Sequence, residues 1–354
     1  SALRSGRRGR SFESSHPDRK TAEWLSFFII IDIFAVMKIV FLDAATLGDT
    51  PLRPIEELGE LVTYPVSSPE EAIERVGDCD VLIVNKVKVT EALLEGALKL
   101  RLVCEAATGV NNIDLDACKA RGIAVKNVAG YSTESVVQET WMHILSLSGN
   151  GPHFDERVKS GEYSQSGLFT DLSKPFIELA GKTIGIIGMG TIGSRVAEVA
   201  KCFGMKVIYY STSGTSHCKK YPSVSLEELM QSSDVISIHA PLNDRTNGLV
   251  GSDELAKMKP TAFIVNMGRG GIIDENALAN AIDREAIGGA ALDVFVNEPL
   301  PADNPLLNTS HPEKIRFTPH TAWASVEARR RLVDAIAKNI YSHSMVAGGL
   351  EEMS

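Results

Sequence analysis

The chain has 354 residues, 44% of them hydrophobic, with 36 Lys and Arg against 45 Asp and Glu for a formal net charge of −9. That length predicts two domains and that apolar content a packed core, while the acidic balance argues against nucleic acid or an anionic membrane surface as partner. Five cysteines (Cys79, Cys104, Cys118, Cys202 and Cys218) fall in no Cys-x-x-Cys or Cys/His cluster. Their spread predicts reduced thiols in a cytoplasmic protein, with no disulfide framework and no metal site.

The first 36 residues differ from the rest. Residues 1–20 are rich in Arg and Ser, and 24–36 form a short apolar run interrupted by Asp32. An Arg- and Ser-rich start suits an organelle-targeting segment, against which stand Glu13, Asp18 and Glu23. The apolar run is too short to span a bilayer unless it absorbs residues 37–42. Met37-Lys-Ile-Val-Phe-Leu-Asp43 reads instead as a start followed by a first strand, which leaves 1–36 as a leader, a disordered tail or a non-native extension.

From residue 38 the pattern alternates strands and helices. Strands are predicted at 38–43, 61–64, 81–84, 102–105 and 123–127, with helices such as 69–76 and 90–97 between them. A long helix over 132–148 follows, then a polar, Gly-bearing stretch from 149 to 181. A second series has strands at 183–187, 206–210, 235–239, 262–266, 289–293 and 314–318. The last helix, 325–345, has no strand after it and must pack back on something already made. Two doubly wound α/β domains with a cleft between them are expected.

The second series opens on Thr183-Ile-Gly-Ile-Ile-Gly-Met-Gly-Thr-Ile-Gly193, an apolar strand running into Gly188-x-Gly190-x-x-Gly193 and a helix predicted over 194–203. Gly188 permits a tight turn, Gly190 lets the backbone approach a pyrophosphate, and Gly193 lets helix and strand pack closely. The phosphates then lie over the helix N-terminus and its partial positive charge. Strand, turn, helix and second strand in that order point to dinucleotide binding.

Three ionisable groups sit at strand ends of the same series, where ligands of such sheets bind. Arg269 lies in Asn266-Met-Gly-Arg-Gly-Gly, Glu298 in Asp293-Val-Phe-Val-Asn-Glu-Pro, and His320 closes Arg316-Phe-Thr-Pro-His. Taken singly, each has a plain structural reading: a surface arginine, a loop-capping glutamate, a satisfied buried histidine. Their coincidence at the cofactor-facing ends of one dinucleotide domain is harder to assign to packing.

From Met37 onward the chain resembles the D-isomer-specific 2-hydroxyacid dehydrogenase family. The matching stretches are Glu178-Leu-Ala-Gly-Lys-Thr-Ile-Gly-Ile-Ile-Gly-Met-Gly, Ser237-Ile-His-Ala-Pro-Leu, Met258-Lys-Pro-Thr-Ala-Phe-Ile-Val-Asn-Met-Gly-Arg-Gly and Ala291-Leu-Asp-Val-Phe-Val-Asn-Glu-Pro. Within the family, Lys38-Ile-Val-Phe-Leu-Asp, Ala107-Thr-Gly-Val-Asn-Asn-Ile-Asp and Thr318-Pro-His-Thr-Ala-Trp-Ala-Ser are most similar to the glycerate dehydrogenase (hydroxypyruvate reductase) branch. The resemblance implies a Rossmann NAD(P) domain, 136–321, inserted in a flavodoxin-like substrate domain, 37–135 plus 322–354. It also implies a homodimer.

It implies Arg269, Glu298 and His320 as the catalytic set. Hydride arrives at a 2-keto carbon and charge develops on its oxygen. His320 as imidazolium donates the proton, Glu298 favours that charged form, and Arg269 grips the substrate carboxylate and carbonyl in one plane. By the same resemblance the backbone amides of Thr108 and Gly109 hold the substrate carboxylate. Lys86 occupies a position where some relatives place a substrate-contacting arginine; its plain reading is a solvated loop lysine. The cofactor groove is implied at Val136, Gly188, Gly190, Thr191, Ile192, Gly193, Ser211, Thr212, His239, Ala240, Pro241, Thr246, Met267, Gly268, Asp293, His320 and Ala322.

One departure bears on the cofactor. NAD-using relatives carry Asp or Glu at the end of the second strand, where a carboxylate accepts both ribose hydroxyls. Here the position reads Tyr210-Ser211-Thr212-Ser213, with Lys219 and Lys220 nearby and no arginine in the immediate turn. Ser211 does not repel a 2′-phosphate, so NAD or NADP is expected. The favoured activity is reversible reduction of a short 2-keto acid, hydroxypyruvate or glyoxylate, to D-glycerate or glycolate. A formate- or phosphite-type dehydrogenase on the same scaffold, which Glu298 disfavours, and a dinucleotide-sensing corepressor-like protein are the alternatives.

Overall fold

The computed structural model describes residues 37–347, so the expectations placed on residues 1–36 lie outside it. The chain divides into two compact units: the described residues up to Val128 with those from Val333 onward, and Ala129–Leu332.

The first unit is built on five parallel strands, β1 (Lys38–Phe41), β2 (Glu60–Thr63), β3 (Val81–Val84), β4 (Leu102–Glu105) and β5 (Ala124–Lys126), in the order β2-β1-β3-β4-β5. That is the flavodoxin-like order, in which the chain reverses direction across the sheet between β1 and β3. β3 and β4 are buried on both faces, as their unbroken runs Val-Leu-Ile-Val and Leu-Val-Cys-Glu require. Helix Pro69–Val76 starts where Ser68 caps it: the Ser68 hydroxyl accepts from Glu71 N and the Glu71 carboxylate from Ser68 N. The C-terminal helix, Val326–Ala347, returns to this sheet, where Lys126 Nζ donates to Ser342 Oγ at 2.7 Å and Asn339 Nδ2 donates to Asn127 O at 3.1 Å.

The second unit carries six parallel strands, β6 (Thr183–Ile187), β7 (Lys206–Tyr210), β8 (Val235–Ile238), β9 (Phe263–Asn266), β10 (Gly289–Leu292) and β11 (Ile315–Phe317), ordered β11-β10-β9-β8-β6-β7. An isolated bridge from Tyr209 to Ser223 stands where a further strand would flank β7. The chain runs outward from β6 through β7, then returns to the other side of β6 at β8. The β6/β8 junction is therefore the switch point at which such sheets bind ligands.

Alternation in these strands sends side chains to opposite faces. Ile236, Ile238, Ile264 and Leu292 pack with Leu229, Leu255, Leu278 and Ile282 of the helices on one face. Val235, Phe263, Val265 and Ala291 pack on the other with Val136, Trp141, Ile144 and Leu147 of helix Thr133–Gly149 and with Val196 and Ala200. That packing ties helix Thr133–Gly149 to this sheet, within the unit Ala129–Leu332.

Two segments differ from expectation. The helix after the Gly-rich turn is Thr191–Cys202, starting three residues before the expected 194 because Gly190 is its N-cap and Gly193 lies inside it. The stretch 149–181 contains helices Gly151–Lys159 and Glu162–Gln165, which bury no side chain. Arg157 ties them together through Glu162 and Asp171. No helix among the described residues is long and apolar enough to cross a membrane.

Candidate active site

A row of backbone hydrogen bonds runs along the carboxyl edge of the six-stranded sheet. Gly188 N donates to Tyr210 O at 3.1 Å, His239 N to Ile187 O at 2.8 Å and Met267 N to Ile238 O at 3.2 Å. Asp293 N donates to Asn266 O and Thr318 N to Leu292 O, both at 3.1 Å. This row aligns Gly188, His239, Met267, Asp293 and Thr318, each the residue just past its strand. Most of the residues read from the sequence as cofactor or catalytic groups follow directly from it.

The glycines of the turn divide by their surroundings. Gly188 has φ 94°, and a Cβ there would lie 2.9 Å from His239 C, His239 O and Ala240 N. A Cβ on Gly193 would overlap Gly188 O, so its absence lets helix Thr191–Cys202 sit on the turn. Gly190 is different: it is exposed, and a Cβ on it would meet nothing within 4 Å. Its bareness serves no internal packing, which fits a backbone kept open for a pyrophosphate at a helix N-terminus. His239 adds a second fit. Its Nε2 pairs with Ser237 Oγ at 2.8 Å, Nδ1 is buried without a partner, and desolvation pushes the ring down to about 3, leaving it neutral. Thr246 is fully buried and its hydroxyl donates to Pro241 O at 2.6 Å, so it shapes the turn carrying Ala240 and Pro241. Val136 is buried in the core beneath this edge.

His320 and Glu298 are brought together. His320 Nδ1 lies 2.6 Å from Glu298 Oε2, so Nδ1 carries the proton and donates, while Nε2 has no acceptor among the described residues. His320 has φ 55°, a left-handed conformation uncommon for a side chain of this size. Asp293 enforces it. Its carboxylate accepts from Thr318 Oγ1 at 2.7 Å, Thr321 N at 2.8 Å and Ala322 N at 3.1 Å, and its carbonyl accepts from His320 N at 2.9 Å. Burial pushes Asp293 up to about 7, with Glu139 adding to the rise and the three hydrogen bonds opposing it. Glu298 is held in turn by Phe295 N, which donates to its Oε1 at 3.0 Å, and Glu275 Oε1 accepts from Val296 N in the same loop.

Arg269 stands on a turn fastened by Asn266. Asn266 Oδ1 accepts from Gly268 N at 3.0 Å and its Nδ2 donates to Arg269 O at 2.9 Å. The guanidinium is exposed and gives Nη1 to Gly268 O at 2.8 Å, and no carboxylate pairs with it among the described residues. It is a planar cation suited to a carboxylate. Sequence reasoning missed Asn266 and Glu275 as positioning groups. The one available signal was a polar residue ending the apolar run Phe-Ile-Val-Asn.

In the first unit, Thr108 Oγ1 donates to Val128 O at 3.0 Å, and no acceptor among the described residues takes the backbone N–H of Thr108 or Gly109. Asp43 accepts from Asn85 N, Lys86 N and Val87 N, fixing the loop that carries the exposed Lys86 side chain. Among the described residues no group of three or more His, Cys, Asp or Glu could hold a metal ion.

Comparisons with known proteins identify the family. Residues 141–322 match the D-isomer specific 2-hydroxyacid dehydrogenase, NAD binding domain. The hydroxypyruvate reductase of Blautia hydrogenotrophica is 36% identical over 314 residues, 86% of this chain and 96% of the relative. The chain belongs to the D-isomer specific 2-hydroxyacid dehydrogenase family. The family's two-domain fold is shared with solved structures. A D-lactate dehydrogenase from Aquifex aeolicus, complexed with NAD and lactic acid, has a TM-score of 0.75 at 29% identity, covering 89% of this chain and 97% of its own. An NADPH-dependent glyoxylate/hydroxypyruvate reductase from Sinorhizobium meliloti, in complex with NADP and malonate, has a TM-score of 0.73 at 26% identity, covering 86% and 93%. This chain is thus an NAD(P)-dependent oxidoreductase of the D-2-hydroxyacid class, acting on a CH–OH group.

Proposed function

We propose that the enzyme reduces hydroxypyruvate or glyoxylate to the corresponding short 2-hydroxy acid, with His320 as proton donor. The observation that carries this reading is the 2.6 Å pair of His320 Nδ1 and Glu298, with Nε2 left unspent beside the carboxyl edge of the sheet. When bound, the reduced nicotinamide supplies a hydride to the keto carbon. His320 delivers its proton from Nε2 to the keto oxygen and remains as neutral imidazole, its Nδ1–H on Glu298. Glu298 stabilises the cationic ring before transfer, and Asp293 keeps the ring aimed by fastening residues 318–322. Arg269 takes the substrate carboxylate, and its positive charge also lowers the cost of the developing oxyanion.

Gly188, Gly190, Thr191, Ile192 and Gly193 would hold the pyrophosphate, Ser211 and Thr212 the adenosine ribose, and His239, Ala240, Pro241, Met267, Gly268 and Ala322 the remaining length of the groove. In the first unit Thr108, Gly109 and Lys86 are the substrate-binding set. Two further readings go with the enzyme. It is cytoplasmic, in keeping with five free cysteines. It is a homodimer, supported by Leu168, Phe169, Leu172 and Phe176, which stand 68%, 92%, 84% and 75% exposed along one segment.

Initial rates with hydroxypyruvate, glyoxylate, pyruvate and a phosphorylated hydroxypyruvate, each with NADH and NADPH, test the proposal. The highest kcat/KM is expected on hydroxypyruvate or glyoxylate. Preference for pyruvate or for the phosphorylated 2-keto acid contradicts it, as does turnover of formate with the oxidised cofactor and of none of these acids.

A further inference from the structure

We infer that Arg245 and the hydroxyl-rich loop 211–216 form a phosphate site that accepts the 2′-phosphate of NADPH. The inference rests on the dinucleotide reading of the Gly188–Gly193 turn and names a specificity residue that sequence proximity does not reveal. The segment after β7 reads Ser211-Thr-Ser-Gly-Thr-Ser-His-Cys-Lys-Lys220 and contains no carboxylate. It begins directly beside the Gly-rich turn, because Gly188 N donates to Tyr210 O at 3.1 Å. A ribose held by that turn therefore faces hydroxyls where an NAD-selective site would present an acid.

The cation comes from a loop 32 residues away in sequence. Arg245 follows β8, and its Nη1 donates to Ser213 O at 2.7 Å. Gly214, at φ 78°, makes room for it, since a Cβ there would lie 3.3 Å from that nitrogen. The arginine's base is fixed by its own turn, where Arg245 N donates to Asn243 Oδ1 and Asn243 N to Thr246 Oγ1. Among the described residues no carboxylate pairs with the guanidinium, not even its neighbour Asp244, so further N–H donors remain for an anion. Ser211 Oγ and Ser213 Oγ lie 3.2 Å apart and both reach Thr215 O, which draws their hydroxyls to the same side of the loop. Lys220, the obvious candidate by sequence, is engaged elsewhere: its Nζ lies 3.5 Å from Glu198 Oε1. A guanidinium with unspent N–H donors, beside a loop that the serines brace through Thr215 O and that holds no opposing acid, matches the geometry and charge of a phosphate monoester.

Titration calorimetry on the full chain with NADH, NADPH, 5′-AMP and 2′,5′-ADP tests this without turnover. The parent is expected to bind NADPH at least as tightly as NADH, and 2′,5′-ADP at least 10-fold more tightly than 5′-AMP. Losing a charge-assisted hydrogen bond implies that Arg245→Ala weakens NADPH about 10-fold or more, with NADH affinity held within a factor of about two. Ser211→Asp, which adds an acid beside the phosphate, should lower the NADPH-to-NADH preference by a similar factor. A parent that binds NADH more tightly than NADPH overturns the inference, as does an Arg245→Ala protein whose preference is unchanged. Failure to bind either NADH or NADPH would instead overturn the dinucleotide reading itself.

Discussion

The three glycines of the cofactor turn are identical in sequence weight but not in physics, and Gly188→Ala and Gly190→Ala separate the two causes. At Gly188 a methyl group must adopt φ 94° and approach three backbone atoms of residues 239 and 240 at 2.9 Å. Those atoms belong to the end of a buried strand and cannot rotate away. A disfavoured backbone conformation costs roughly 1–3 kcal/mol, and overpacking a further ~1–3 kcal/mol. The sum is a large share of the roughly 5–15 kcal/mol that holds a typical domain together. At Gly190 the backbone is extended at φ −81° and ψ −160°, and the methyl meets nothing within 4 Å. Alanine there gains roughly 0.4–1 kcal/mol from a less flexible unfolded chain, against a poorer helix cap of about the same size. Thermal melts should place Gly190→Ala within about 2 °C of the parent and Gly188→Ala lower by about 5 °C or more. Calorimetric titration of NADH should show the opposite damage in Gly190→Ala, a loss of at least about 10-fold, because the methyl stands where a pyrophosphate must approach. Parent-like NADH binding by Gly190→Ala would refute the assignment of that opening to the cofactor.

Glu298→Gln preserves a hydrogen-bond acceptor for His320 Nδ1 but removes the carboxylate charge that faces the ring, so kcat in the reduction direction should fall about 10-fold or more while cofactor affinity changes little. A parent-like kcat would refute the pairing as functional. Glu105 offers a test that does not touch the reaction. It is fully buried, its Oε1 has no partner, and burial pushes the carboxyl up from 4.5 to about 8. Between those values the folded chain keeps a proton the unfolded chain releases. Its contribution to stability is therefore fully present below about 4.5 and declines as pH rises to about 8, by at most about 1.4 kcal/mol per pH unit. Denaturant melts of Glu105→Gln should show a flatter pH dependence than the parent across pH 5 to 8, and an identical slope would show that Glu105 is not protonated in the fold.

Much of the fold was legible because buried parallel strands announce themselves. Val81–Val84 and Thr183–Ile187 lie between clear turn signals and occur in the structure at the expected residues. The strand ends were less legible: His239 and Asp293 continue their strands' pattern in sequence but lie one residue past the last pairing, where they turn into the site. That Arg269, Glu298 and His320 stand past strand ends of the six-stranded sheet was readable because each closes or follows a strand. Arg245 was not, because its partner Ser213 is distant in sequence and the link is a side chain to a carbonyl, which leaves no periodic trace. Helices Gly151–Lys159 and Glu162–Gln165 were hidden because they are short and polar, with no buried residue to mark a face.

The central claim is that His320 gives up the proton when a 2-keto acid is reduced. The most direct measurement is the turnover of hydroxypyruvate by His320→Ala, followed as loss of NAD(P)H absorbance, with cofactor affinity determined on the same protein. Proton delivery by a positioned side chain is typically worth about 10²–10⁴-fold, so kcat should fall on that scale while the Kd for the cofactor changes little. An alanine variant that keeps the parent's kcat, or one that loses only cofactor binding, would contradict the account.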